Sequence, residues 1–153
     1  MCDNATSRST IWNLANNLWK KRNNAQLPSR LGDILGCSLV NFKSREKPDR
    51  GKNRLYQILV SESAYLIWKI RNERRIRDND TTVEPTAEVV KKRWTNAINK
   101  RLTIDRFLTD ENRFRKKAID KNLVKRTWAR CLKDEERLPP DWHTNKGVLV
   151  GIS

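Results

Sequence analysis

The chain of 153 residues holds one histidine, five glycines, five prolines and three cysteines. Each shortage excludes something. His143, beside Trp142 in a polar tail, reads as a solvated or capping residue rather than a catalytic base. So few glycines and prolines exclude collagen-like and low-complexity linker chains. Cys2, Cys37 and Cys131 are odd in number and widely scattered, which fits a reducing compartment better than a disulfide scaffold. The expected location is therefore intracellular, the nucleus included. The longest apolar run, Ala64 to Trp68, has five residues against the ~18 of a membrane span, so no membrane partner is expected. The opening residues lack a basic region followed by an apolar one, so no secretory signal is expected and the Asn-x-Thr sites at Asn4 and Asn79 carry little meaning.

Chemistry-bearing patterns are equally scarce. Zinc takes about four Cys or His ligands, usually in close pairs, whereas Cys2, Cys37, Cys131 and His143 are each isolated; no metal site and no cofactor are expected. No GxSxG, GxxxxGK[ST] or GxGxxG occurs, so neither a nucleophile elbow nor a phosphate loop is supported and no catalytic residue is assigned. Glu62 is the one carboxylate on an apolar helix side. It reads as a structural acid, either buried against an Arg or Trp N–H or placed at the edge of the stripe.

What the chain has in abundance is positive charge: 33 Lys and Arg against 18 Asp and Glu, a net +15. Only 37% of residues are hydrophobic, so the core is thin and self-repulsion opposes compaction. Six Trp offset this, each able to bury ~150–250 Å².

The hydrophobic spacing is helical almost throughout and predicts an all-α domain over 1–153, a small bundle of about four main helices with an irregular C-terminal tail. The helices are expected at 8–22, 53–78, 85–102 and 115–133, and the tail at 134–153. Residues 27–42 read as a connector with a short turn through Leu31, Ile34 and Leu35 closed by Gly36, and 43–52 as an exposed loop. Residues 103–108 are either a continuation of the third helix or a short extra turn. The segment 147–152 is either an extended strip packed on a helix or a frayed end. The core is expected from Leu18, Leu55, Leu59, Leu66, Trp68, Trp94, Ile98 and Trp128, with Trp12 and Trp19 also inward.

The cations cluster in blocks, Lys43–Arg54, Lys69–Arg77 and Arg113–Lys133. Phosphate backbones attract such surfaces through counterion release. Solvated helix faces around a thin core account for the same charge. Because most Trp fall on apolar stripes, no exposed aromatics are expected among the blocks, and any binding is expected to be directed at the backbone. Arg74, Arg75 and Arg77 at the end of the second helix, and Arg115, Lys116 and Lys117 at the start of the last, are the candidate phosphate contacts.

The runs at 11–19 (IWNLANNLW), 31–37 (LGDILGC), 54–76 (RLYQILVSESAYLIWKIRNERRI), 93–110 (RWTNAINKRLTIDRFLTD), 123–142 (LVKRTWARCLKDEERLPPDW) and 147–152 (GVLVGI) resemble, in order, the C-terminal part of fungal retrotransposon polyproteins. Those carry a reverse transcriptase, a ribonuclease H domain, a zinc-binding module and then a helical tail. The resemblance implies that Cys2 matches the last ligand of the zinc module, an orphan here because the earlier ligands are missing. It implies a remnant or fragment, a non-catalytic accessory element of an enzyme that handles an RNA–DNA hybrid. No Asp-Asp pair for a polymerase occurs. The implied partners are DNA, RNA or their hybrid, and the upstream reverse transcriptase and ribonuclease H region. Two other readings compete: a structural protein-interaction domain, and a decayed retroelement fragment with no function of its own.

Overall fold

Apolar residues spaced for one helical face recur in four segments, and each segment buries that face against the others. The computed structural model describes residues 5–76 and 84–152. It is a predominantly α-helical small bundle with one two-residue hairpin. Helix α1 (Ala5–Asn23) presents Ile11, Leu14, Ala15, Leu18 and Trp19 to the core. A short α2 (Leu31–Leu35), ending on Gly36, and the hairpin β1 (Lys43–Ser44) and β2 (Lys47–Pro48) lead to the central α3 (Arg50–Ile76). Helix α4 (Ala87–Phe107) follows, then α5 (Glu111–Phe114) and α6 (Lys121–Trp128). Helix α3 packs against α1, α2, α4 and α6, and so buries the consecutive Ile58, Leu59 and Val60. No helix among the described residues is long and apolar enough to cross a membrane.

The helix starts follow capping chemistry. Asp49 accepts the Lys52 N–H at 2.9 Å and opens α3, so residues 50–52, expected in a loop, are helical. Thr86 caps α4, which starts one residue after it and runs on through Phe107. The helix buries Val90, Trp94, Ile98 and Leu102 at helical spacing, and its continuation past 102 adds Asp105.

The last expected helix, 115–133, is overturned. Asp110 caps α5, Arg115–Lys117 form a single 3-10 turn, and Asp120 caps α6 by accepting the Asn122 N–H at 2.8 Å. Asp120, able to cap a helix, thus divides the expected stretch into a 3-10 turn and a separate short helix. Helix α6 stops at Trp128 because Arg130 takes a positive φ of 63° and the Glu135 carboxylate accepts the N–H groups of Arg130 and Leu132. Cys131 therefore lies in the turn that follows α6, and Leu132 in a single bridge beyond it. There Leu132 pairs antiparallel with Val150, and Cys131 O accepts the Gly151 N–H at 2.8 Å. Of the two alternatives for 147–152, the packed strip is the one found: Val148 and Val150 are buried, and Asn99 Oδ1 holds the Val150 N–H at 2.8 Å.

Trp68 is a second correction. It is 57% exposed, whereas the other seven expected core residues are buried. At 3.6 residues per turn, nine residues separate it from Leu59 by two and a half turns, which puts it on the opposite face of α3. Trp142, in the tail, is buried instead.

Polar ties fix the helices to one another. Asp105 is fully buried; Arg54 donates both terminal nitrogens to its carboxylate, Nη2 at 2.7 Å, and Trp128 Nε1 donates to Oδ2 at 2.8 Å. That one carboxylate joins α3, α4 and α6. Trp94 Nε1 donates to the buried Ser63 Oγ at 2.9 Å between α4 and α3. Arg22, at the end of α1, donates to the carbonyls of Arg126 and Thr127 and so caps the C-terminus of α6. Gly51 lets α3 approach α6: a Cβ there would meet the Arg126 backbone at 2.8 Å. Asp105→Ala, which strands the Arg54 guanidinium, is expected to destabilise the fold by about 3–5 kcal/mol, and Arg54→Met/Asp105→Leu by less than the sum of the single changes. Urea denaturation of the three variants checks this; an unchanged midpoint for Asp105→Ala defeats it.

Candidate nucleic-acid interface

The expected phosphate contacts end up in two separate places. Arg74, near the end of α3, pairs with Glu84, ahead of α4, at 3.2 Å, and Arg75 is exposed. Arg77 lies outside the described residues. Arg115, Lys116 and Lys117 are exposed on their 3-10 turn, with Arg115 at φ 48°. They follow the C-terminal end of α4, whereas Arg74 sits beside its N-terminal end. Twenty-one residues of helix put the two sets about 30 Å apart, so they form no single track.

Between them the structure assembles something the sequence blocks did not indicate. The antiparallel α3 and α4 enclose a groove of about 500 Å³ whose walls include Glu62, Tyr65, Lys69, Arg93, Lys100 and Arg101. Arg93 forms two 2.9 Å contacts with Glu73 and closes one end. Lys69, Lys100 and Arg101 have no carboxylate partner among the described residues, and Arg101 Nε is shielded without a hydrogen bond. Glu62 is the one acid in the groove and is half-buried there. The paired acid imagined at Glu62 is realised at Asp105, which has both an Arg and a Trp N–H. Lys100 and Arg101 lie outside every sequence block; what marks them is their placement on the α4 face turned toward Tyr65 and Lys69.

Exposed aromatics do interleave with the cations. Tyr65 and Trp68 are each 57% exposed and stack on one another, with ring centroids 5.8 Å apart and planes 26° apart. Their presence beside Lys69 and Arg71 corrects the expectation that the basic blocks carry no exposed rings. A second aromatic group, Trp19, Phe42 and Tyr56, is internal, with centroids 5.3–5.7 Å apart. The Tyr56 hydroxyl donates toward the Pro28 and Asp33 carbonyls, and burial pushes its pKa up to about 12.

The residues considered for metal do not converge. Cys37 is half-buried near α2, Cys131 is buried against the tail strip, and His143 lies by a cavity of about 630 Å³ with Arg106 and Phe107. Cys2 is outside the described residues. Among the described residues, no three His, Cys, Asp or Glu side chains gather as a metal site requires. Burial pushes the Cys131 thiol up to about 12, so it stays protonated and poorly nucleophilic. Burial also lowers the His143 pKa, helped by Lys125, which keeps its ring neutral at pH 7.

Comparison with family models, with curated proteins and with solved structures finds no match.

Two outcomes follow from these groups. At pH 8, iodoacetamide is expected to modify Cys37 in the native protein and Cys131 only after unfolding, as read by peptide mass spectrometry; equal labelling contradicts the packing of the tail strip. His143 is harder to protonate folded than unfolded, so its contribution is complete above pH 6.5 and is lost as pH falls from there toward the lowered folded value. Melting temperature is expected to decline over that window and His143→Gln to flatten the decline; an identical profile for the variant removes His143 as the cause.

Proposed function

We propose that this chain is a non-catalytic accessory element, akin to the C-terminal tail of a retrotransposon reverse transcriptase and ribonuclease H polyprotein, that binds nucleic-acid backbone without sequence preference. The observation that carries the binding is the excess of exposed, unpaired cations. Arg115, Lys116 and Lys117, together with Arg75, Lys69 and Lys100, have no carboxylate partner among the described residues, in a chain of net charge +15. The polyprotein origin rests on the ordered resemblance of nearly the whole chain. A small helical bundle with no strand-borne carboxylates among the described residues suits an accessory role rather than polymerase or nuclease chemistry.

A structural protein-interaction role is the second reading. Leu31, Leu35 and Leu39, four residues apart, are 72%, 77% and 84% exposed on and after α2, an apolar stripe suited to a protein surface such as the upstream ribonuclease H region.

The two readings separate in a salt titration. If about five phosphates are neutralised on a duplex, log K is expected to fall against log salt with a slope near −4 to −5. Replacing Arg115, Lys116 and Lys117 with Gln makes the slope shallower, weakens unrelated sequences equally, and changes stability by no more than about 0.5 kcal/mol. Neutralising Arg74, Arg75 and Arg77 does the same to the slope but also breaks the Arg74–Glu84 pair, worth about 0–1 kcal/mol. No affinity for DNA, RNA or hybrid at about 50 mM salt sinks the nucleic-acid reading.

A further inference from the structure

The groove between α3 and α4 combines three features that duplex backbone binding does not need together. First, it is concave and bounded by two helices tied at Arg93–Glu73 and at Trp94–Ser63, so its walls are fixed. Second, its free charge is predominantly positive: Lys69, Lys100 and Arg101 are unpaired against the single carboxylate of Glu62, and Arg101 Nε is shielded from water without a partner. A guanidinium nitrogen in that position is short of one acceptor oxygen. Third, Tyr65 borders the groove and stacks against Trp68 on its outer side, leaving over half of each residue in solvent. Neither ring contributes to the core in proportion to its size, and water is a poor neighbour for the faces left bare.

We propose that this groove binds a single-stranded nucleic acid, with an unstacked base laid on the Tyr65–Trp68 pair and adjacent phosphates on Lys69, Lys100 and Arg101. The inference rests on the nucleic-acid reading above and deepens it, since it adds a base contact to what is otherwise backbone attraction. Single strands are the fitting class because their bases can leave the stack and offer a π face, which a duplex keeps covered. Stacking is tolerant of base identity, so the groove reads strandedness rather than sequence. An acidic peptide would answer the cations but leave the aromatic pair without a counterpart.

The test uses the full chain and three probes of equal length: a labelled 20-mer of oligo(dT), the same 20-mer made abasic, and a 20-base-pair duplex, each titrated by fluorescence anisotropy at about 100 mM salt. The wild type is expected to bind oligo(dT) about tenfold or more tightly than the abasic strand. Tyr65→Ala/Trp68→Ala is expected to abolish that difference while leaving affinity for the abasic strand and the duplex unchanged. Lys100→Gln/Arg101→Gln lowers affinity for both single strands together. Circular dichroism melting confirms that the variants fold, and the wild-type comparison of the two single strands decides the matter even if one does not. Equal wild-type affinity for oligo(dT) and the abasic strand, or a base preference that survives loss of both rings, overturns the groove proposal with general polyanion binding intact. Binding to none of the three overturns the functional reading itself. Tighter capture of a poly-glutamate chain than of oligo(dT) assigns the groove to an acidic peptide and also overturns the proposal.

Discussion

A charge-paired carboxylate in the centre of a thin core is the constraint on which the bundle turns. Asp105 sits on the stripe of α4 that otherwise holds valine, tryptophan, isoleucine and leucine, and a lone ionised group there would cost several kcal/mol. Its tolerance depends on two donors that come from far along the chain, Arg54 at the start of α3 and Trp128 at the end of α6. Neither donor can be shifted by a turn without stranding the other. The register of α3 against α4, and the seat of α6 on both, are thereby set together. A purely apolar contact of similar size would have left those helices freer to slide, because hydrophobic burial is non-directional.

That fixed register determines what the outside of the molecule looks like. With Leu55, Leu59, Leu66 and Ile70 committed inward, Trp68 has no inward position left and emerges on the far side of α3, with Tyr65 on the flank beside the groove. With Val90, Trp94, Ile98 and Leu102 committed inward on α4, Lys100 and Arg101 come to line the neighbouring groove. The surface chemistry is a by-product of the internal pairing, and it brings together residues from two helices that no single stretch of sequence holds.

The stripes were legible because helical periodicity survives in the sequence whatever the partner. Ile11 to Trp19, Leu55 to Ile70 and Val90 to Leu102 all face inward as their spacing requires. Trp68 misled because a large ring was counted as core by residue type when its angular position already set it opposite Leu59. The stretch 115–133 misled because its apolar residues keep helical spacing across Asp120, and an aspartate in mid-sequence looks the same whether it caps a new helix or decorates an old one. Asp105 could not be told from a surface acid, since nothing local announces that Arg54 and Trp128 will meet it. For the candidate site, the cation blocks were visible but their arrangement was not: the two expected triplets lie at opposite ends of α4, and the groove between the helices depends on tertiary register.

The clasp of Arg22 on the end of α6 has a consequence for how the molecule opens. Eight residues are too few for a helix to persist alone in water, so α6 exists only while its ends and its Val124–Trp128 face are held. One of those holds comes from α1, more than a hundred residues earlier. Detaching α1 therefore also uncaps α6 and loosens the seat of Trp128 on Asp105. The N-terminal and C-terminal parts of the chain are in this way one cooperative unit, whose backbone amides exchange with solvent in a common opening event rather than as two independently fraying ends.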